Sequence, residues 1–587
     1  MSALPAATPQ PFRSFLGNAL GLPSVERLYR AARSLTHRDF ASSVLEELGV
    51  RVLIDQEDLD RIPTEVPVIV VANHPFGLLD GLMLDSVITR VRRDSRVMVN
   101  SALRQIPELA DQYFWVDILS SGGPARNSRS LRESLDWLKR GGLLAMFPAG
   151  EVAHWDFRKA RVADPQWSTS AARLAVRTGA CVIPAFFDGA NSVGFQVVGC
   201  IHPMLRTASL ARELVNKRGG EYRLRFGAAV TAARLAGYDD PVQATEYLRA
   251  RTYLLEHRRG PTARLSSAAP RYADAREPVI AAAADPSLLR AELDQLEQAG
   301  ARIVDHKDYA VYLAPGAALG AVREEVGRLR EITFRRVGEG TGKTRDLDRF
   351  DEYYHHVVLW DKARNAIAGG YRLAWTPEIL RTRGAQDFYT STLFRYRREF
   401  FERLGPAVEL GRSFVVPERQ KDFAPLLLLW QGIARAVARR PECPVLFGAV
   451  SISRDYCAAS RELMVRFLRR KERRDLARLV SPRRPVQLRL SRREEIQIVA
   501  GMFDDIDGLS EPIRDLESGS GAPVLIRQYL KLGGEIVSFN VDRDFSDVVD
   551  ALLVVDLRKT DPRALRKYMG PEALARFMAH HSLCETV

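Results

Sequence analysis

An α/β protein of two domains is what this sequence predicts, and three observations carry the expectation. The chain has 587 residues, against roughly 100–200 for a typical domain, so a single core is too few. From residue 50 onward, short β-branched runs alternate with helical patterns, which predicts sheets buried between helices. Residues 258–286, RRGPTARLSSAAPRYADAREPVIAAAADP, then break the pattern, being rich in Ala, Pro, Arg and Ser without a sustained apolar period. That composition predicts a linker. The expected division is a first domain at 1–257, a linker at 258–286 and a second domain at 287–587. No internal repeat joins the halves, so two different domains are expected rather than a duplication.

In chain order, residues 14–48 read as helical, because Phe15, Leu20, Leu22, Val25, Leu28 and Tyr29 recur at roughly helical spacing. Strands are expected at 50–54, 66–72, 96–99, 143–147 and 181–187, and helices at 128–139 and 169–178. Past the linker, residues 288–299 predict a helix. Further strands are expected at 357–360, 367–373, 408–415 and 445–453.

Composition narrows the function classes. Hydrophobic residues at 46% and charged residues at 27% exclude a disordered chain. Lys and Arg outnumber Asp and Glu by 86 to 73, a net charge of +13, which favours an acidic partner such as nucleic acid, an anionic membrane or an acidic carrier protein. The strongest apolar runs fall far short of the roughly 18–20 residues of a membrane span. Five scattered cysteines without a CxxC spacing point away from a disulfide framework or structural zinc and toward a reducing cytoplasm. The N-terminus lacks the basic-then-apolar pattern of a signal peptide.

The most informative string is VANHPFGLLDG at 71–81. It overlaps the end of an apolar strand and precedes a helical pattern, so His74 falls on a strand-to-helix loop, where α/β scaffolds commonly expose reactive groups. A His with an Asp on one loop suits general-base chemistry, because the carboxylate fixes the imidazole tautomer and stabilises its charged form. Asn73 is placed to position the loop, and Gly77 lets the chain turn sharply. An isolated His is more often a cap or a core residue, but two further strings agree with this one: LLAMFPAGE at 143–151 and CVIPAFFD at 181–188.

Over about residues 40–230 the three blocks together resemble the glycerolipid acyltransferase superfamily of the lysophosphatidic acid acyltransferase type. Two departures stand out. Five residues separate His74 from Asp80 where the common pattern has four, and Ala149 replaces the glutamate of an FPEG block, with Glu151 two positions later. The combination is similar to the branch that includes ornithine-lipid O-acyltransferases. The resemblance implies that His74 deprotonates a lysolipid hydroxyl, which attacks an acyl thioester, and that Asp80 orients His74. It further implies that Glu151, with Arg126 and Arg129, shapes the acceptor site. Residues 206–225 carry six basic and two acidic residues, either a solvated face or a contact for lipid headgroups or a carrier protein.

In the second half, residues 333–350 contain GEGTGKT. A nucleotide phosphate loop needs GxxxxGK[ST] between a strand and a helix. Gly338 lies only four positions before Gly342 and no buried strand precedes it, so nucleotide hydrolysis is not expected. Asp346, Asp348 and Asp351 lie close together ahead of Tyr353 and Tyr354. The strand at 367–373 carries Arg372, and VELGRSFV at 408–415 holds Glu409 and Arg412 three positions apart. On a regular strand this spacing sends them to opposite faces unless a bulge intervenes. An internal salt bridge is the plain alternative use for the pair.

This order of elements resembles the GNAT-like N-acyltransferases over about residues 320–560. The likeness is strongest to the ornithine acyltransferases (hemolysin-type) and more distant to the acyl-homoserine-lactone synthases. It implies substrate binding by Asp346, Asp348 and Asp351 and a catalytic Glu409. The chemistry suits these residues, since carboxylates bind an α-ammonium and accept its proton. Arg372 or Arg412 would pair with the amino acid's carboxylate, and the choice between them stays open. The expected fold is thus a glycerolipid acyltransferase-like α/β domain followed by a GNAT-like, acyl-homoserine-lactone-synthase-like α/β domain.

Residues 466–493 hold 12 basic and two acidic residues, +10 of the net charge. An exposed helix is one reading. With Phe467, Leu468, Leu476 and Leu479 among the arginines, the segment also suits a membrane-surface helix or a dock for acyl-carrier protein, with Arg469, Arg470, Lys471, Arg473 and Arg474 as its cations. No nucleic-acid recognition motif is present, so nucleic acid is not an expected partner.

Together the halves resemble the bifunctional ornithine lipid synthases. The resemblance implies N-acylation of ornithine from a 3-hydroxyacyl-carrier protein by the C-terminal half, then O-acylation of the resulting hydroxyl by the N-terminal half. Fusion raises the effective concentration of the intermediate. No metal or other cofactor is expected, the energy coming from an acyl-carrier-protein or acyl-CoA thioester. The expected setting is the cytoplasm, peripherally on the inner face of the cytoplasmic membrane. Two rival readings are a phospholipid-remodelling lysophospholipid acyltransferase with a non-catalytic C-terminal half, and a basic membrane- or nucleic-acid-binding protein on degenerate enzyme folds.

Overall fold

The computed structural model describes residues 22–32, 40–101, 113–116, 128–258 apart from 159 and 202, 278–488, and 494–583 apart from 518 and 544. The chain is α/β throughout and divides into two compact units. One comprises residues 1–258 with 493–502 and 511–519, and the other comprises 259–492 with 503–510 and 520–587.

The first unit is built on a seven-stranded sheet. Its strands are β1 (Arg51–Leu53), β2 (Val68–Ala72), β3 (Ser95–Asn100), β4 (Tyr113–Val116), β5 (Leu143–Met146), β8 (Cys181–Phe187) and β9 (Glu221–Phe226), in the order β1-β9-β8-β2-β5-β3-β4. A separate hairpin pairs β6 (His154–Asp156) with β7 (Arg161–Ala163). Every residue of β2 is buried, as its unbroken apolar run requires of a central strand covered on both faces. β2 runs parallel to β5 and to β8, with Val71 opposite Met146 and Ala72 opposite Ala185. Parallel neighbours end together, so the loops after all three strands gather at one end of the sheet, where open α/β sheets place their ligands. Of the helical stretch expected at 14–48, the described part forms helices Leu22–Ala32 and Phe40–Glu47.

The contribution of residues 493–502 and 511–519 to this unit differs from the expected division, in which 287–587 form one body. Buried ion pairs account for it. Arg251, 1% exposed, and Arg258 need partners inside the core. Asp515 supplies its carboxylate to Arg251 and its carbonyl to Arg258, while Glu495 pairs with Arg161. Arg258 also bonds Asp58 and the carbonyl of Phe226. It therefore ends the first unit rather than opening a linker. Of the expected linker, 259–277 lie outside the described residues. At its far end Ala281 and Ala284 already donate to the Thr344 carbonyl and to Glu325 in the second unit.

The second unit carries an eight-stranded sheet made of β10 (Arg302–His306), β11 (Tyr309–Pro315), β12 (His355–Asp361), β13 (Ala366–Trp375), β15 (Ala407–Val415), β16 (Val445–Ile452), β18 (Glu535–Asp542) and β19 (Val548–Asp556). The order is β10-β11-β12-β13-β15-β16-β19-β18, and β14 (Phe394–Tyr396) pairs separately with β17 (Val480–Pro482). All neighbours in the large sheet are antiparallel except β15 and β16. These two pair only from Ala407 to Glu409 against Val445 to Phe447 and then part. Gly448 marks the last close approach, since a Cβ there would meet the Leu410 carbonyl oxygen at 2.3 Å.

One expectation for this unit is corrected. The Arg-rich stretch is not one surface helix: it is divided among helices Ala458–Arg469 and Arg474–Ala477 and strand β17, and 489–493 lie outside the described residues. Phe467, Leu468 and Leu476 are fully buried, so they anchor the segment in the core instead of facing a bilayer. Arg469, Arg470, Lys471 and Arg474 remain exposed and Arg473 is half-buried. The GTGK loop, in turn, wraps a carboxylate. Thr341 and Gly342 donate to the fully buried Glu331, and an acid in that position repels a phosphate.

Candidate functional site

In the first unit the loop after β2 builds a His–Asp pair. His74 Nδ1 lies 2.9 Å from Asp80 Oδ2, which also accepts the backbone N–H groups of Phe76 (2.8 Å) and Gly77 (3.0 Å). An oxygen already accepting two N–H groups acts as acceptor toward the ring, so Nδ1 carries the proton and Nε2 is left with its lone pair. The five-residue spacing works because Asp80 stands in the first turn of the helix Leu78–Val91, with Gly77 before it at φ 85°. A Cβ at Gly77 would come within 3.0 Å of Leu210 and 3.3 Å of Val152. Burial pushes the Asp80 carboxyl up, opposed by the hydrogen bond and charge of His74 and by the two backbone donors.

The surroundings hold this geometry. Asn73 accepts the Phe187 N–H at 2.7 Å and donates to its carbonyl at 3.0 Å, fastening the end of β2 to the end of β8. Phe147, which closes the second block, stacks on the His74 ring at 4.3 Å. The His74 N–H donates to Asp164, which Trp167 also holds. The His74 side chain keeps 17% exposure while Asp80 has none, so the base is reachable and its orienter is sealed.

Glu151 is placed differently from His74's immediate partners: it is half-exposed and paired with Arg206 at 2.6 Å. Arg129 lies on the exposed face of Ser128–Lys139, paired with Glu133, and Arg126 lies outside the described residues. Phe147, Asp164 and Arg206 were not singled out as site residues from the sequence. Phe147 lies inside the FPAGE string and Arg206 opens the basic run at 206–225, whereas Asp164 carries no sequence signal.

In the second unit a bulge resolves the spacing of Glu409 and Arg412. Gly370 pairs with Phe414 but Arg372 with Gly411, so one extra residue is accommodated, and Arg412 takes φ 49°. That is a costly conformation for a side chain of its size. The bulge turns both residues toward Tyr389: Glu409 accepts its N–H, and the Arg412 guanidinium lies 5.1 Å from its ring.

The acidic trio is also brought together, but around arginines. Arg330 donates to both oxygens of Asp351 at 2.8 Å. Arg372, fully buried, bonds Asp348 at 2.6 Å and lies 3.2 Å from Asp351. Asp346 sits 3.3 Å from Arg330. Although burial opposes it, Arg372 and Arg330 hold Asp351 well below the usual carboxylate range. Arg412 is the looser cation, 3.8 Å from Asp346 and from Asp348, with its Nε unpartnered and its side chain 9% exposed.

Glu409 is saturated. Its two oxygens accept from Tyr354, Thr390 Oγ1 (2.5 Å), Thr390 N–H (2.8 Å) and Tyr389 N–H (3.1 Å). Burial pushes its pKa up. This geometry makes Glu409 a group that fixes the 389–390 segment. Beyond it, on the same face of the sheet, stand Ser451 and Asp550, joined at 2.9 Å.

Burial and the charge of Asp542 push Asp550 up to about 8, and burial with Asp455 pushes Glu339 up to about 7. Ser451 and Arg412 oppose the shift of Asp550, and Glu339 adds to it. A raised folded-state pKa stabilises the fold fully below the unfolded value of about 4 and loses that contribution as pH climbs through the folded value. Asp550→Asn keeps the shape without the charge. Its melting temperature is therefore expected to match wild type near about pH 4 and to exceed it increasingly toward about pH 8–9. Differential scanning calorimetry across that range reads the difference, and a gap that does not grow with pH contradicts the shift.

A cavity of about 470 Å³ on the other face of the β18–β19 hairpin is lined by Arg454, Arg461, Arg484 and Arg543. Among the described residues, no cluster of three or more His, Cys, Asp or Glu is arranged to hold a metal.

Comparison with known proteins agrees with both halves. A family described as "Acyltransferase" matches residues 14–260, and one described as "Acetyltransferase (GNAT) domain" matches residues 329–431. The chain is 31% identical over 293 residues to a glycine N(alpha)-acyltransferase of Bacteroides thetaiotaomicron, covering 47% of this chain and 86% of that protein. It is 24% identical over 224 residues to a lyso-glycine lipid O-acyltransferase of Phocaeicola vulgatus, covering 37% of this chain and 77% of that one. The crystal structure of the 1-acyl-sn-glycerophosphate acyltransferase PlsC from Thermotoga maritima aligns with 42% of this chain and 94% of its own at 18% identity, with a TM-score of 0.24.

Proposed function

Because the chain belongs to the same family as the Bacteroides thetaiotaomicron glycine N(alpha)-acyltransferase and is an enzyme of the acyltransferase type, we propose that it makes a diacylated amino-acid lipid in two steps. The second unit acylates the α-amine of an amino acid, ornithine in our reading, from a 3-hydroxyacyl thioester on a carrier protein. The first unit then esterifies the 3-hydroxyl with a second acyl chain. The observation that carries the reading is the His74–Asp80 pair, a reachable base with a sealed orienter at the strand ends.

In the first unit, His74 Nε2 takes the hydroxyl proton as that oxygen attacks the thioester carbonyl. A C–O bond forms, the C–S bond breaks, and the proton passes from His74 to the departing thiolate. In the second unit the neutral amine attacks its thioester, so a C–N bond forms, the C–S bond breaks, and the thiol leaves with the proton the amine gives up. Of the two candidate arginines, Arg412 is the better partner for the substrate carboxylate. Its acid contacts are long, at 3.8 Å, and its side chain keeps 9% exposure, while Arg372 bonds Asp348 at 2.6 Å and is 1% exposed. The exposed basic turn at Arg469–Arg474 and the arginine-lined cavity suit an acidic carrier protein and its phosphate-bearing arm.

The relatives' names favour glycine as a rival acceptor. Supplying the purified full chain with labelled ornithine or glycine, a 3-hydroxyacyl-carrier protein and a second acyl donor, then reading the lipid extract by mass spectrometry, decides between them. Labelled glycine in the lipid with none from ornithine overturns the acceptor. Label from neither sinks the whole reading.

Membrane contact falls to a different surface from the Arg-rich stretch. The helix Val193–Ile201, VGFQVVGCI, leaves Val193 80% and Val197 56% exposed, and Phe157 beyond the neighbouring β6 is 77% exposed. Exposed apolar groups of this kind mark interaction surfaces, and a lysolipid acceptor resides in a bilayer. Among the described residues no helix is long and apolar enough to cross one. Val197→Asp is expected to cut flotation with anionic phosphatidylglycerol-containing vesicles roughly tenfold, since burying a valine is worth about 1.5 kcal/mol or more. Undiminished flotation counts against this surface.

A further inference from the structure

Two hydrogen bonds clamp the His74 backbone, and both come from the ends of one hairpin. The Ala153 N–H donates to the His74 carbonyl at 2.8 Å, and the His74 N–H donates to Asp164 Oδ1 at 3.1 Å. The pairing of β6 with β7 begins at His154 against Ala163, so Ala153 and Asp164 are the residues that leave the hairpin on its two sides. The Asp164 end is firmly built. Its carboxylate accepts the Trp167 Nε1–H at 2.9 Å, its own N–H donates to the Tyr253 hydroxyl at 2.9 Å, and the guanidinium of Arg161 on β7 lies over the same Tyr253 ring.

The other end of the hairpin is apolar and open. Phe157, next after β6, is 77% exposed, Trp155 is 39% exposed, and Arg158 beside them is exposed as well. These three residues also line a pocket of about 300 Å³ whose wall includes Asp164 and Pro165. Aromatic rings beside an arginine suit a bilayer surface, where the rings enter at headgroup level and the cation meets lipid phosphates. β6 and β7 form a sheet of two strands only. A hairpin of that kind gains little from its own ladder, so its order depends on what its two ends touch. One end touches His74.

We propose that the β6–β7 hairpin couples a lipid surface to the base of the first unit: Trp155 and Phe157 enter the bilayer that holds the acceptor, and Ala153 and Asp164 carry the resulting order to the His74 backbone. This rests on the reading that the first unit esterifies a lipid hydroxyl. Asp164 is then a positioning residue, acting through His74 and not on the substrate.

The test separates the acceptor from the surface. N-(3-hydroxybutanoyl)-ornithine and its glycine counterpart are short enough to stay in water, so vesicles do not gather them around the enzyme. With the full chain and an acyl-carrier-protein donor, phosphatidylglycerol vesicles free of acceptor are expected to raise kcat for these compounds roughly fivefold or more, the lower range of coupling between two sites. Phe157→Ser is expected to lose the stimulation, each rate being read against the same variant without vesicles. Asp164→Asn has one acceptor oxygen for two donors, so it is expected to float with the vesicles and yet lose most of the stimulation. Hydrogen exchange of the wild-type chain needs neither acceptor nor variant: the His74 amide is expected to exchange roughly fivefold more slowly when the same vesicles are added.

An unchanged exchange rate at His74 overturns the proposal. So does a wild-type kcat that ignores the vesicles, or a Phe157→Ser or Asp164→Asn chain that responds to them as the wild type does. Failure of the wild type to esterify any N-(3-hydroxyacyl) amino acid, short-chain or long-chain, overturns the O-acylation reading itself, an outcome distinct from the others.

Discussion

His74→Ala is expected to lower formation of the diacylated lipid by roughly 10²–10⁴-fold, the usual contribution of a positioned general base, while the N-acylated lyso-lipid accumulates. The ring is held by Asp80 on Nδ1 and by Phe147 on its face, and Asp164 accepts the residue's backbone N–H. Without the ring Asp80 keeps the Phe76 and Gly77 N–H donors, so the variant is expected to stay folded. Asp80→Asn is the companion test. An amide there presents a donor or a weaker acceptor to Nδ1 and no longer selects the tautomer with a free Nε2, so a loss of at least tens of fold is expected with the ring still present. Mass spectrometry of lipids from the two variants checks both. A normal diacyl-to-monoacyl ratio in His74→Ala would rule out the base.

The second large effect concerns a buried ion pair. Asp515→Ala is expected to destabilise the first unit by about 3–5 kcal/mol, the range for stripping a partner from a buried ion pair. In a unit of this size that is a fall in melting temperature on the order of 10 °C. The loss leaves Arg251, 1% exposed, with only the Tyr247 hydroxyl (2.6 Å), the Ala228 carbonyl at 3.5 Å and the distant Glu511 (4.0 Å). It also removes the acceptor that holds the Ala228 N–H at 2.6 Å. A chain cut at the linker discards Asp515 and Glu495 altogether, so an isolated fragment of residues 1–258 is expected to fold poorly and to report on stability rather than on catalysis. Calorimetry of Asp515→Ala in the full chain reads the effect, and a shift under about 1 °C would contradict it.

Much of the first site can be read from local sequence. β2 is an unbroken apolar run, and the loop that follows it carries Asn73, His74 and Gly77 in order, so a strand, a turn and a base are all encoded within ten residues. The second site is less open to such reading. Arg372 and the acidic trio are visible as charges, but whether a carboxylate is free for substrate or already held by an arginine depends on Arg330, contributed by a helix whose sequence shows only an amphipathic pattern. Glu409 looks like a base in the string VELGRSFV and is instead saturated by Tyr354, Tyr389 and Thr390. Those partners come from segments up to 55 residues away.

By itself the sequence determined the α/β class, the two kinds of half, the strand positions and the His74–Asp80 pair, because each depends on short-range periodicity and spacing. The tertiary structure alone decided which charges are spent and which are open. It assigned Asp515 to the first unit, tied Asp351 to Arg330, folded the apolar residues of the Arg-rich stretch into the core, and left one oxygen of Asp550 bare. The reason is physical: a buried charge must find a counter-charge wherever the chain's path supplies one, and that path is set by packing across the whole domain rather than by neighbours in sequence.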